Sequence, residues 1–207
     1  MSFDSSFVQN AFISEAYNTT MLLLRTLLPL ALLMACSHLH AGNFTLNTKE
    51  STLAADAKAS PPHSFTNTAT TFTTDIEINP KTLEVTKAAC RFKFADIDSE
   101  KAKRDKKMHG WMDIEQNPAA TFTLTSVKAG KTADQKIGVG QFTMHGVSRE
   151  IEIPFTIKRD GKTIILDGAT EFDYTDWDLP VVRLLFFSVK PTLKPHFHLE
   201  GTLSNDA

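Results

Sequence analysis

From Phe44 onward the chain alternates apolar and polar residues with a period of two, the pattern of a strand with one buried face. The clearest run is Glu150-Ile151-Glu152-Ile153-Pro154-Phe155-Thr156-Ile157, in which Ile151, Ile153, Phe155 and Ile157 share a side. The same alternation groups Phe72, Thr74, Ile76 and Ile78, then Ala88, Cys90, Phe92 and Phe94, and recurs at Phe122 and Leu124. Phe44 to Ala57, Ile137 to Met144, Lys162 to Phe172 and His196 to Leu203 are further strand candidates. Turn chemistry separates them at Asn79-Pro80, Asp160-Gly161 and His145-Gly146. The pattern predicts about eight strands, each with one apolar face.

Ser99 to Gly110, SEKAKRDKKMHG, departs from the alternation and predicts a short helix, with Asp98 or Ser99 as N-cap and Gly110 as the stop. Glu100 with Arg104 and Lys101 with Asp105 stand four apart, the spacing of weak ion pairs on a solvated face. Ala59 to Thr74 carries Pro61, Pro62 and many Ser and Thr, which predicts a loop across a barrel mouth. Val181 to Val189 is apolar almost throughout, and its period does not choose between a buried strand and a lid. Many short antiparallel strands with a single helix predict an all-β fold, a sandwich or a closed barrel, of which a barrel of about eight antiparallel strands is favoured. Closure removes exposed edges, and eight strands enclose room for side chains or one slender ligand.

The start of the chain reads differently. Met21 to Ala41, MLLLRTLLPLALLMACSHLHA, places one positive charge, Arg25, before an apolar run that gives way to small and polar residues. That is the layout of a secretory signal, and Pro29 and the shortness of the run argue against a membrane span. Residues 1–41 are therefore read as a signal segment with Met21 as a second candidate start, and residues 42–207 as the barrel domain. Leu33-Met34-Ala35-Cys36 resembles a bacterial lipobox, which would make Cys36 a lipidated first residue and attach the protein to a membrane. Ordinary cleavage nearby, for instance after Ala41, is the alternative. Either way the protein is expected in the periplasm, and Cys90 is left without a disulfide partner.

Composition narrows the function. The net charge of −2, from 22 basic and 24 acidic residues, gives no footprint for nucleic acid. Fifteen Phe against two Trp and two Tyr predict an interior with few polar handles. Alternation places Phe72, Phe92, Phe122, Phe142, Phe155 and Phe172 as cavity-lining candidates, although a strand slipped by one residue would turn its member outward. No G-x-S-x-G, phosphate-cradling glycine loop or dinucleotide fingerprint occurs, so neither a catalytic function nor a cofactor is expected. His196 and His198 lie two apart and share a strand face, a beginning for a metal- or haem-associated redox or hydrolytic site. Glu200 shares that face while Phe197 and Leu199 oppose it, so a polar outer surface is the simpler reading.

Three stretches together resemble one family. Lys103-Arg104-Asp105, Met108-His109 and Asp113-Ile114-Glu115 lead into Asn117-Pro118-Ala119-Ala120-Thr121-Phe122; a second stretch runs from Gly140 to Ile151, GQFTMHGVSREI; a third comprises Phe172 with Asp176-Trp177. They are similar to the YceI-like proteins, the polyisoprenoid-binding, lipocalin-like periplasmic family. Thr175 and Asp178 stand where that family's pattern leads one to expect Arg and Gly. The resemblance implies an eight-stranded antiparallel lipocalin-like barrel, a periplasmic carrier whose long apolar cavity takes an amphiphilic isoprenoid lipid, a polyprenyl chain or an isoprenoid quinone. It also singles out Arg104, His109 and His145: Arg104 to pair with Asp105 or clamp a barrel end, the histidines to hydrogen-bond a polar head group. Because Gly110 and Gly146 adjoin the histidines, capping or turn hydrogen bonds are the alternative.

Overall fold

The computed structural model describes residues 41–184 and 187–204. The expected signal segment up to residue 40, with its lipobox and both candidate starts, lies outside these residues. In chain order the strands are β1 (Gly42–Leu46), β2 (Thr52–Ser60), β3 (His63–Ala69), β4 (Phe72–Ile78), β5 (Val85–Lys93), β6 (Ile97–Asp98) and β7 (Ala119–Ala129). They continue with β8 (Gln135–Met144), β9 (Val147–Asp160), β10 (Thr163–Ala169), β11 (Phe172–Asp173), β12 (Arg183–Leu184) and β13 (Phe187–Leu203). Among the described residues one α-helix, α1 (Ala102–Met112), follows β6.

The strands β1, β4, β5, β7, β8, β9, β10 and β13 pair antiparallel in that order, and β13 returns to β1, which closes an eight-stranded barrel. Along the edge opposite β10 the long β13 serves two partners in succession. Its C-terminal residues pair with β1, Phe44 opposite Leu203, while its earlier residues pair with β2, Phe197 opposite Leu53. The predicted single strand from Phe44 to Ala57 is thus broken between β1 and β2. The break falls in the polar run Asn47 to Ser51, where the Asn47 side chain accepts a hydrogen bond from the Lys49 amide at 3.2 Å. Ser51 Oγ accepts from the Glu200 amide at 3.0 Å, so the turn stays fastened to β13.

Further expectations are corrected. Ala59 to Thr74 is a strand hairpin rather than a loop: β2 and β3 pair from Ala54 opposite Thr68 to Ala59 opposite His63. Alternation was hidden there because the inward side chains of β3 include the polar Asn67, whose amide donates to the Ala55 carbonyl at 3.3 Å. The helix begins at Ala102, after Lys101, and no side chain caps it. Ser99 instead hydrogen-bonds Asp105 through both its amide and its hydroxyl, so neither spaced ion pair forms on the helix face. Gly110 does not stop α1. The helix continues to Met112, which is buried, and ends at Asp113 in the left-handed region with φ of 49°. Within Val181 to Val189, β12 pairs with the start of β13, Arg183 opposite Ser188, and the Val189 amide donates to the Val182 carbonyl at 2.9 Å.

Two apolar clusters occupy opposite ends of the barrel. One gathers Phe44, Ile76, Ile78, Val85, Ile164 and Leu203 where β1, β10 and β13 meet. The other gathers Phe94, Met112, Met144, Tyr174, Trp177 and Leu179 beneath α1. Its polar handles are satisfied: Trp177 Nε1 donates to the Phe142 carbonyl at 3.1 Å and Tyr174 Oη to the Val189 carbonyl at 3.2 Å.

Candidate functional site

Between the clusters lies a cavity of about 620 Å³, within the ordinary range for small-molecule sites. Its walls are apolar because inward positions of every barrel strand follow the period-two alternation. Phe72, Phe92, Phe122, Phe142, Phe155 and Phe172 all line it. Phe72 faces Phe92 across β4 and β5, and Phe122 faces Phe142 across β7 and β8. Phe142, Phe172 and Trp177 form a contiguous aromatic group, with ring centroids 4.7 to 5.6 Å apart.

The barrel keeps this space open through small residues that sequence reasoning passed over. Leu53, Ala55, Ala57 and Ala59 line the cavity on β2, so one wall is mostly methyl groups. Glycines let the rings lie flat against the backbone. A Cβ on Gly168 would stand 2.4 Å from Phe197 Cζ, and one on Gly140 would stand 2.5 Å from Phe122 Cζ. A glycine inside a strand pattern is the signal that could have located these close approaches.

At the α1 end the lining changes character. Lys101, Lys103, Arg104 and Lys107 border the cavity together with His63 and Phe65 of β3. Arg104 Nε donates to Ser99 Oγ at 2.8 Å, Nη2 donates to the Ser99 carbonyl, and the guanidinium carbon sits 4.1 Å from the Phe65 ring centroid. The side chain thereby ties α1 to both β3 and the residues before the helix, rather than pairing with Asp105.

A model of the YceI-like domain family matches residues 44–200. The chain belongs to the YceI-like family. A UPF0312 protein of Pseudomonas putida is 36% identical over 83 residues, 38% of this chain and 42% of that relative's length. A UPF0312 protein of Vibrio vulnificus is 28% identical over 167 residues, 74% of this chain and 86% of the relative. Among solved structures, the fold is similar to BcnA of Burkholderia cenocepacia, with a TM-score of 0.67 at 19% identity over 76% of this chain and all of that one. It is also similar to a polyisoprenoid binding domain from Saccharophagus degradans, with a TM-score of 0.59 at 14% identity over 79% of this chain and 99% of that one.

Two of the residues singled out in this YceI-like chain lie outside the cavity lining. His109 Nε2 is 3.1 Å from the Phe94 carbonyl, and His145 Nδ1 is 3.2 Å from the Trp177 carbonyl. Both contacts join backbone elements at the α1 end, and His145 with Gly146 forms the β8–β9 turn, with φ of 50° and 75°. The Cys90 thiol does line the cavity, and burial pushes its pKa up to about 11.

His196 and His198 have no common partner. His198 Nδ1 lies 2.6 Å from Asp167 Oδ1 and its Nε2 lies 3.2 Å from Glu200 Oε1, so the two carboxylates, Asp167 foremost, raise its pKa above the ordinary imidazole value. His196 Nδ1 lies 3.4 Å from the Lys194 carbonyl and 3.9 Å from Asp56 Oδ2. Among the described residues, no group of three or more His, Cys, Asp and Glu could hold a metal ion.

Proposed function

We propose that this YceI-like protein is a non-catalytic periplasmic carrier that holds the chain of an amphiphilic isoprenoid lipid in its barrel. The observation that carries the reading is the open, almost wholly apolar cavity of about 620 Å³ lined by nine phenylalanines, the six expected ones among them. A slender, branched hydrocarbon suits such a space, since each methylene-sized group removed from water contributes about 0.8 kcal/mol. The fold shared with a polyisoprenoid binding domain supports the same ligand class. Export rests on the signal layout of Met21 to Ala41.

Native mass spectrometry of the purified protein, followed by lipid extraction, tests the carrier directly. A stoichiometric isoprenoid lipid is expected. A stoichiometric metal without lipid would instead favour the histidine-based redox or hydrolytic reading. Location is tested by N-terminal analysis of protein recovered from its native envelope, with a first residue at or shortly after Cys36 expected. An intact chain starting at Met1 in the cytosol would defeat it.

A further inference from the structure

The cavity is blind at one end. Of the described residues that line it, only His63, Lys101, Lys103 and Lys107 are exposed, so it meets solvent beside α1 and the start of β3. At the other end Ile76, Val85, Phe155, Leu166 and Leu199 line it and are buried. They pack in one cluster with Phe44, Ile78, Ile164 and Leu203, which lie beyond the lining. Ile78 and Ile164 are 0% exposed, so side chains fill the barrel below the cavity.

Phe44 has a particular place in this floor. β1 meets β13 at the seam that closes the barrel, with Phe44 opposite Leu203 and Leu46 opposite Gly201. The Phe44 ring crosses that seam and lies against Gly201, where a Cβ would stand 2.6 Å from its Cζ and 2.7 Å from its Cε2. The glycine leaves room for the ring, and the ring takes space into which the cavity would otherwise continue. The side wall at the same end is thin: Ala88 of β5, opposite Ile76 of β4, presents only a methyl group to the cavity.

Resting on the carrier reading, we infer that this floor limits tail length, with Phe44 as the specificity-determining residue, so that the barrel prefers short isoprenoid tails to long ones. At about 30 Å³ for each water-sized group, 620 Å³ holds roughly twenty carbon-sized groups, or about four five-carbon units. A shorter tail leaves part of the apolar wall without contacts. A longer one is stopped at Phe44, and its surplus units remain at the exposed end without the contribution of burial.

The test loads delipidated full-length protein from detergent micelles holding equal amounts of all-trans prenols of 15, 20, 25 and 45 carbons, then compares bound lipid with micelle composition by mass spectrometry. Surplus units gain nothing by leaving a micelle, so the bound fraction should peak at 20 carbons, enriched roughly tenfold over 45. Phe44→Ala removes a group about the size of one five-carbon unit and should move the peak to 25 carbons. Ala88→Leu should move it to 15. Thermal unfolding is recorded for each variant. Should Phe44→Ala not fold, Phe44→Leu, a milder truncation, must still raise the share of the 25-carbon prenol. Bound lipid that mirrors the micelles or favours 45 carbons in the unaltered protein overturns the inference and leaves the carrier reading standing. A peak that stays in place in the folded variants of both residues overturns it as well. If no prenol is retained, the carrier reading fails and takes the inference with it.

Discussion

Replacing Phe155 by Asp tests the inward assignment most severely. Phe155 is 8% exposed and belongs to the core cluster away from α1. Its ring passes over the backbone of β8, with Cε1 3.6 Å from where a Cβ on Gly138 would sit, and its own Cβ approaches Gly168 of β10. Removing the phenyl group forfeits about 2 to 3 kcal/mol of apolar burial. An unpaired carboxyl group among apolar side chains costs about as much again even after it takes up a proton. The sum, about 5 kcal/mol, is comparable with the whole stability of many domains. At 2 to 4 °C per kcal/mol it lowers Tm by roughly 10 to 20 °C. Phe155→Leu is the control for folding: it keeps most of the apolar surface, costs about 1 to 2 kcal/mol, and should weaken lipid retention without abolishing it. Glu152, one face over on the same strand, is solvent-exposed and paired with Lys128 at 3.1 Å. Glu152→Lys removes a surface pair worth at most about 1 kcal/mol and should leave retention unchanged. Lipid retention and thermal unfolding are measured for all three. A folded Phe155→Asp protein that still holds lipid, beside a Glu152→Lys protein that does not, would refute the facing of β9.

Other consequences are open to simple measurements. Arg104→Gln should loosen α1 by roughly 1 kcal/mol through loss of its contacts with Ser99 and the Phe65 ring; faster amide exchange across residues 102–112 and faster lipid release are expected, and unchanged exchange would contradict the tie. Because the Cys90 thiol is raised from 9.0 to about 11, its thiolate fraction near neutral pH is about 100-fold lower than an ordinary thiol's, and labelling by a charged disulfide reagent should be slow until the protein unfolds. Rapid labelling of the native protein would mean that water reaches the cavity wall. The folded pKa of His198 lies above 6.5, so its small contribution to stability is complete below that pH and is lost as pH rises through the folded value. Tm should therefore decline slightly from about pH 6 to about pH 8, and Asp167→Asn should flatten that dependence.

Much of the wall was legible in the residues because a strand's facing is a local property. Phe72, Phe92, Phe122, Phe142, Phe155 and Phe172 alternate with polar neighbours, and each lines the cavity. Where the local signal was mixed, the reading failed. Asn67 on an inward face disguised β3 as a loop, and a serine that prefers an aspartate side chain to a helix amide shifted the start of α1. His109 and His145 were conspicuous by residue type, yet their partners are carbonyls of Phe94 and Trp177, which lie 15 and 32 positions away.

The sequence by itself determined an all-β chain, the apolar face of most strands and a basic segment between Lys101 and Lys107, since periodicity and composition need no knowledge of distant residues. Only the tertiary structure decided that the interior stays open and that the basic segment borders it. Both depend on closure of β13 onto β1, which pairs Phe44 with Leu203, and on the alanines of β2 facing the bulky rings of strands far away in the chain. Whether facing side chains fill a barrel is set by the sum of volumes from all eight strands, and no single stretch of sequence carries that sum.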